Sequence, residues 1–129
     1  MLHALVVEDD DGHADLVVDA LRGIAMVQRV EHADEALAVL AWVVPDVVLC
    51  DLRGTSDAAP LLTATSLRIA MDRAGDRVRA RLPLVLASGL DPHVLREIAA
   101  TIVHTHALPK PFSRTALRSL VERVTGVTP

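Results

Sequence analysis

A chain of 129 residues, 51% hydrophobic and 23% charged, has the size and composition of one globular domain with a core that needs no disulfide or metal staple. Its net charge of −4 argues against direct nucleic-acid binding, where basic groups neutralising phosphates supply most of the affinity. The single cysteine, Cys50, excludes an intrachain disulfide, no apolar run approaches the roughly 20 residues of a membrane span, and the N-terminus lacks the order of a signal peptide, so a cytoplasmic protein is expected.

The only aromatics are Trp42 and Phe112, so the core must be built from Val, Leu, Ile and Ala. Leu2 to Val7 is apolar and is stopped by Glu8-Asp9-Asp10-Asp11-Gly12, which reads as a buried strand. Asp11 or a neighbour then caps a helix in which Val17, Leu21 and Ile24 recur at helical spacing, with Gly23 near its end. Ala25 to Val30 is a second strand. Ala33 to Val43 is a second helix, broken by Pro45-Asp46. Trp42 on that helix is expected to pack rather than to anchor a partner. Val47 to Cys50 is a third strand, closed by Asp51.

Leu61 to Ala74 reads as a helix ending at Gly75, and Arg77 to Arg81 as a further turn or loop. The recurrence of Arg68, Arg73, Arg77, Arg79 and Arg81, interleaved with Asp72 and Asp76, predicts a solvated helix face. Pro83 to Ala87 is a fourth strand, followed by Ser88-Gly89. Asp91-Pro92 opens a fourth helix that runs to about Ala100, with proline in its first turn. Thr101 to Leu108 is expected as the fifth strand. Ser113 caps a last helix, in which Leu117, Leu120, Val121 and Val124 line one face.

Strand and helix alternate five times, which implies an α/β fold: a five-stranded parallel sheet, doubly wound, with helices on both faces. Functional groups in such sheets gather at the carboxyl ends of the strands. Those ends carry Glu8-Asp9, Asp51, Ser88-Gly89 and Lys110-Pro111. Two carboxylates about 4 Å apart repel by on the order of 4 kcal/mol at an effective dielectric of 20. A hard divalent cation such as Mg²⁺ relieves that repulsion, and the ammonium opposite suits a phosphoryl group. Each feature alone has an ordinary reading as a cap or a turn. Their joint placement on successive strand ends is the specific signal.

Four segments carry a resemblance to a known family: Leu5-Val6-Val7-Glu8-Asp9-Asp10, Pro45 to Leu52, Pro83 to Gly89, and Leu108-Pro109-Lys110-Pro111-Phe112. Together they resemble the receiver domains of two-component response regulators over nearly the whole chain. The resemblance implies a flavodoxin-like strand order of 2-1-3-4-5 in a single receiver domain. It implies that Asp51 accepts a phosphoryl group from a phosphohistidine of a histidine kinase or histidine phosphotransfer protein. It assigns Mg²⁺ to Glu8, Asp9, Asp51 and the backbone carbonyl of Arg53. Ser88 and Lys110 are assigned to the phosphoryl oxygens, and the Lys110-Pro111 bond is expected to be cis. The domain would be a signalling phosphoacceptor rather than an enzyme, with output by protein contact through its fourth helix, fifth strand and fifth helix.

The sequence departs from the family at several points. The proline usual in the turn after the phosphoacceptor is Thr55, and the spacing from Asp51 to Ser88 is longer, which places extra chain within residues 54 to 81. The aromatic usual three residues before the lysine is Ala107. His106 beside it should point to the opposite face of the sheet. Gly89 replaces the more usual alanine and would open the site slightly. Ala107 and the altered loop after Arg53 support an alternative, a receiver-like module that signals by contact and is little or never phosphorylated. A phosphohydrolase with an Asp nucleophile would want Asp-x-Asp directly after the first strand, where this chain has Glu8-Asp9-Asp10, and a cap domain, which is missing. A metal pair of His104 and His106 lacks a third ligand, His13 could approach the site but is expected at a solvated helix start, Arg53 reads as a surface residue or a tuner of phosphoryl lifetime, and Cys50 as a buried, inert thiol.

Overall fold

The strands form where short apolar runs are bounded by polar breaks, and the central runs, Ala4 to Val7, Val47 to Cys50 and Leu84 to Ala87, are buried on both sides of one sheet. In the computed structural model, which describes residues 1–52, 60–74 and 82–127, these are β1 (Leu2–Val7), β2 (Ala25–Val30), β3 (Val47–Asp51), β4 (Leu84–Ser88) and β5 (Thr105–Pro109). The helices between and after them are α1 (Asp11–Ala20), α2 (Ala33–Leu40), α3 (Pro60–Ala74), α4 (Pro92–Ala100) and α5 (Arg114–Thr125). All pairings are parallel, as the alternation of strands and helices implies, and the strand order is β2-β1-β3-β4-β5, as the resemblance implies.

Strand alternation sorts the core into two layers. Leu5, Val7, Val48, Cys50, Leu84 and Leu86 point to one face, where α2, α3 and α4 contribute Ala36, Leu40, Leu67, Met71 and Leu95. Ala4, Val6, Val47, Leu49, Val85 and Ala87 point to the other, against Val17, Ala20, Leu117, Leu120 and Val121 of α1 and α5. Ala107 packs with the first layer and Leu108 belongs to the second, so His106 lies on the α5 side, opposite Ala107, as alternation requires.

Asp10, the neighbour of Asp11, is the N-cap of α1 and accepts from the His13 N–H at 2.8 Å, within the sequence reading. Two element boundaries and two side-chain placements differ from that reading. α2 ends at Leu40, and Trp42 beyond it is 90% exposed rather than packed. Residues 101–104 are turn, not strand: Thr101 closes α4 by donating its N–H to Glu97 O, and Ile102 donates to Ala99 O. Ile102 packs on the core from that turn while Val103 is exposed, so the apolar pair that suggested a strand is split between two environments. His104 then takes a left-handed φ of 54°, and ladder pairing begins at Thr105.

Arg68 is the second misplaced side chain. It is only 5% exposed, not on a solvated face. Its Nη1 donates to Leu82 O at 2.6 Å and more weakly to Val103 O and His104 O, while Nη2 pairs with Asp72 at 2.8 Å. The guanidinium thus ties α3 to the entries of β4 and β5. The expectations for Gly75 and for Arg77, Arg79 and Arg81 lie outside the described residues, as do those for Arg53 and Thr55.

Candidate functional site

The apolar runs of β1 and β3 end side by side, with Val7 paired to Cys50, so Glu8 and Asp51 emerge at the same edge of the sheet. β4 lies beside β3 with Ala87 paired to Asp51, and β5 lies beside β4 with Pro109 paired to Ser88. The Lys110 N–H donates to Ser88 O at 2.8 Å, which sets the lysine across from Ser88. Parallel register alone therefore delivers Glu8, Asp9, Asp51, Ser88 and Lys110 to one place.

The side chains converge there. Ligand oxygens of Glu8, Asp9 and Asp51 all lie within 4.8 Å of one another, with Glu8 and Asp51 buried and Asp9 exposed. Lys110 Nζ is 2.9 Å from Asp51 Oδ1 and 4.0 Å from Glu8 Oε1. Burial raises the Glu8 carboxyl to about 7, helped by its hydrogen bond to Asp51 and the charge there; the backbone N–H of Asp10 and Lys110 oppose the rise. One lysine does not neutralise three gathered carboxyl groups, and that residual charge is what a divalent cation would relieve. An all-oxygen donor set with one face open to solvent through Asp9 fits a hard ion that keeps several waters. Among the described residues this is the one cluster of three or more such ligands, and His104 and His106 belong to none.

Ser88 is buried, and its Oγ accepts from the Leu90 N–H at 3.0 Å, which leaves the hydroxyl hydrogen available to an acceptor in the site. A methyl group at Gly89 would meet nothing within 4 Å, so no close approach requires glycine there. The Lys110-Pro111 bond is cis, as the resemblance implies. The backbone carbonyl of Arg53, named as a further ligand, lies outside the described residues.

His13, expected at a solvated helix start with an approach to the site as the lesser option, makes that approach: its Nδ1 sits 3.7 Å from Glu8 Oε1. One residue near the site escapes the sequence reading. Arg29 of β2 donates from Nε to Glu8 O at 2.9 Å and from Nη1 to Asp11 Oδ1 at 2.8 Å. No local pattern marks it, because its partners come from a neighbouring strand and the loop that follows. Cys50 is buried and its thiol is pushed up to about 12, by burial first and then by the charges of Asp51 and Glu8.

No protein-family model and no curated protein matches the chain. Solved structures do. The receiver domain of the sensor histidine kinase PA1611 from Pseudomonas aeruginosa, described with a magnesium ion coordinated in its active-site cleft, is 21% identical with a TM-score of 0.73, over 97% of this chain and 98% of that one. A response regulator from Thermotoga maritima is 16% identical with a TM-score of 0.79, over 98% of each chain. A protein described as a transiently phosphorylated switch in bacterial signal transduction is 26% identical with a TM-score of 0.71, over 97% of this chain and 94% of that one. The fold of this chain is that of the response-regulator receiver domains.

Proposed function

We propose that this chain is a phosphorylatable receiver domain that takes a phosphoryl group on Asp51 and signals by protein contact. The observation that carries the reading is the approach of Lys110 Nζ to within 2.9 Å of Asp51, beside the gathered carboxyl groups of Glu8 and Asp9. Glu8, Asp9 and Asp51, with the Arg53 carbonyl, would hold Mg²⁺, which when bound supplies charge neutralisation for the phosphoryl oxygens.

An Asp51 carboxylate oxygen attacks the phosphorus of a phosphohistidine on a histidine kinase or phosphotransfer partner. The new O–P bond forms as the P–N bond breaks, and the imidazole leaves with the electron pair and takes up a proton. Lys110 is already aimed at Asp51 and pairs with an equatorial phosphoryl oxygen, where charge grows in the transition state. Ser88 donates its hydroxyl to another of these oxygens once its side chain turns from the Leu90 N–H. Water attack on phosphorus later breaks the same O–P bond and restores the carboxylate. The domain is therefore a signalling phosphoacceptor, and its site of action is the cytoplasm. No helix among the described residues is long and apolar enough to cross a membrane.

The test is exposure to a small phosphodonor with Mg²⁺, followed by peptide mapping. Modification at Asp51 is the expected result, and modification elsewhere or nowhere overturns the reading. One observation favours the second reading, a module that signals by contact alone: Ala107 packs as a small residue against the core, where the family's switch aromatic would stand. A folded protein that takes no phosphoryl group yet still binds a sensor kinase would select it.

A further inference from the structure

Four consecutive acidic residues run from the connection after β1, Glu8 to Asp10, into Asp11, the first residue of α1. Arg29 reaches across this connection from the edge strand β2, and its side chain is 27% exposed. The Glu8 backbone is held on both of its polar groups by the same strand: its N–H donates to Val30 O at 2.9 Å, and its carbonyl accepts from Arg29 Nε at 2.9 Å. The other prong of the guanidinium, Nη1, holds Asp11 Oδ1 at 2.8 Å. Asp9 lies between the two anchored residues.

We propose that Arg29 is a positioning residue for the cation site, clamping the acidic loop so that the Glu8 and Asp9 carboxylates face Asp51. This rests on the reading of those carboxylates as cation ligands. A guanidinium is a planar fork, so two bonds from it fix direction as well as distance. Without the clamp, repulsion along four adjacent carboxylates would splay the loop.

A purely electrostatic role has the opposite sign. A free positive charge beside the site would repel Mg²⁺, and removing it would tighten binding. Arg29 is in contact with Asp11, however, so its field at the site is that of a neutralised pair, and the clamp dominates. Residues that orient metal ligands typically govern affinity by 10- to 100-fold.

Calorimetric titration of Mg²⁺ into wild type, Arg29→Gln and Arg29→Lys tests this, with the metal-free thermal midpoint recorded for each. Both variants are expected to bind Mg²⁺ on the order of tenfold more weakly, because lysine keeps the charge but not the two-pronged grip. Unchanged or tighter binding in Arg29→Gln, or wild-type affinity in Arg29→Lys, overturns the proposal. A role confined to the scaffold would lower the metal-free midpoint and leave affinity unchanged, which also overturns it. If Arg29→Gln does not fold, Arg29→Lys carries the test. Failure of the wild type itself to bind Mg²⁺ defeats the cation-site reading and this one together, and is distinguished by that control.

Discussion

Glu8 is a buried carboxyl group whose proton is held more tightly in the fold than in water. Folded, it keeps its proton to about 7, against 4.5 in the unfolded chain. Between those values the folded state binds more protons than the unfolded one, so metal-free stability should fall as pH rises from about 4.5 to about 7 and level off above. A cation must displace the same proton, so Mg²⁺ affinity should rise with pH through about 7. Urea titrations without metal and calorimetry with it, run across that window, check both signs, and flat profiles would contradict them. Cys50, with its thiol pushed up to about 12, should resist alkylation at neutral pH until denaturant opens the fold. Glu8, Asp9, Asp51, Ser88 and Lys110 were legible in the sequence because each stands where an apolar run stops. Arg29 was not, since what gives it meaning is a contact made from the next strand.

Among the elements, α3 packs on the sheet through Leu67 and Met71 and is tied to the strand entries by the buried Arg68. Arg68 looked like one of a row of solvated arginines because local sequence shows charge spacing but not which turn of a helix faces a strand entry. Its replacement by Met would strip the Leu82 carbonyl of a charge-assisted donor and should destabilise the fold by about 2–3 kcal/mol in urea. Asp72→Asn should cost about 1 kcal/mol or less, since Asp72 is half exposed. Equal losses in the two variants would show that the ion pair, not the carbonyl contacts, holds α3. The start of β5 was misread for a related reason. Ile102 and Val103 look like strand residues, yet the carbonyl-closing turn of α4 claims their backbone and His104 bends the chain before pairing begins. α2 likewise stops short of the apolar residues that seemed to extend it, leaving Trp42 in solvent.

At the scale of the whole molecule, parallel pairing places the carboxyl ends of β1, β3, β4 and β5 at one rim, where the side chains of the site stand. The alternation of strands and helices made the parallel sheet and its strand ends legible in the sequence, whereas the strand order came from the resemblance to receiver domains. Binding a cation at the rim should stabilise the native state by mass action, by about 2.7 kcal/mol at a Mg²⁺ concentration of 100 Kd, seen as a rise in thermal midpoint that Asp9→Asn diminishes. The most direct measurement is the intact mass of the folded protein after incubation with a small phosphodonor, with and without Mg²⁺, for wild type and Asp51→Asn. The expected result is a gain of one phosphoryl group that requires Mg²⁺ and vanishes in the variant. No gain in the folded wild type, or an equal gain in Asp51→Asn, would contradict the assignment of Asp51 as the phosphoacceptor.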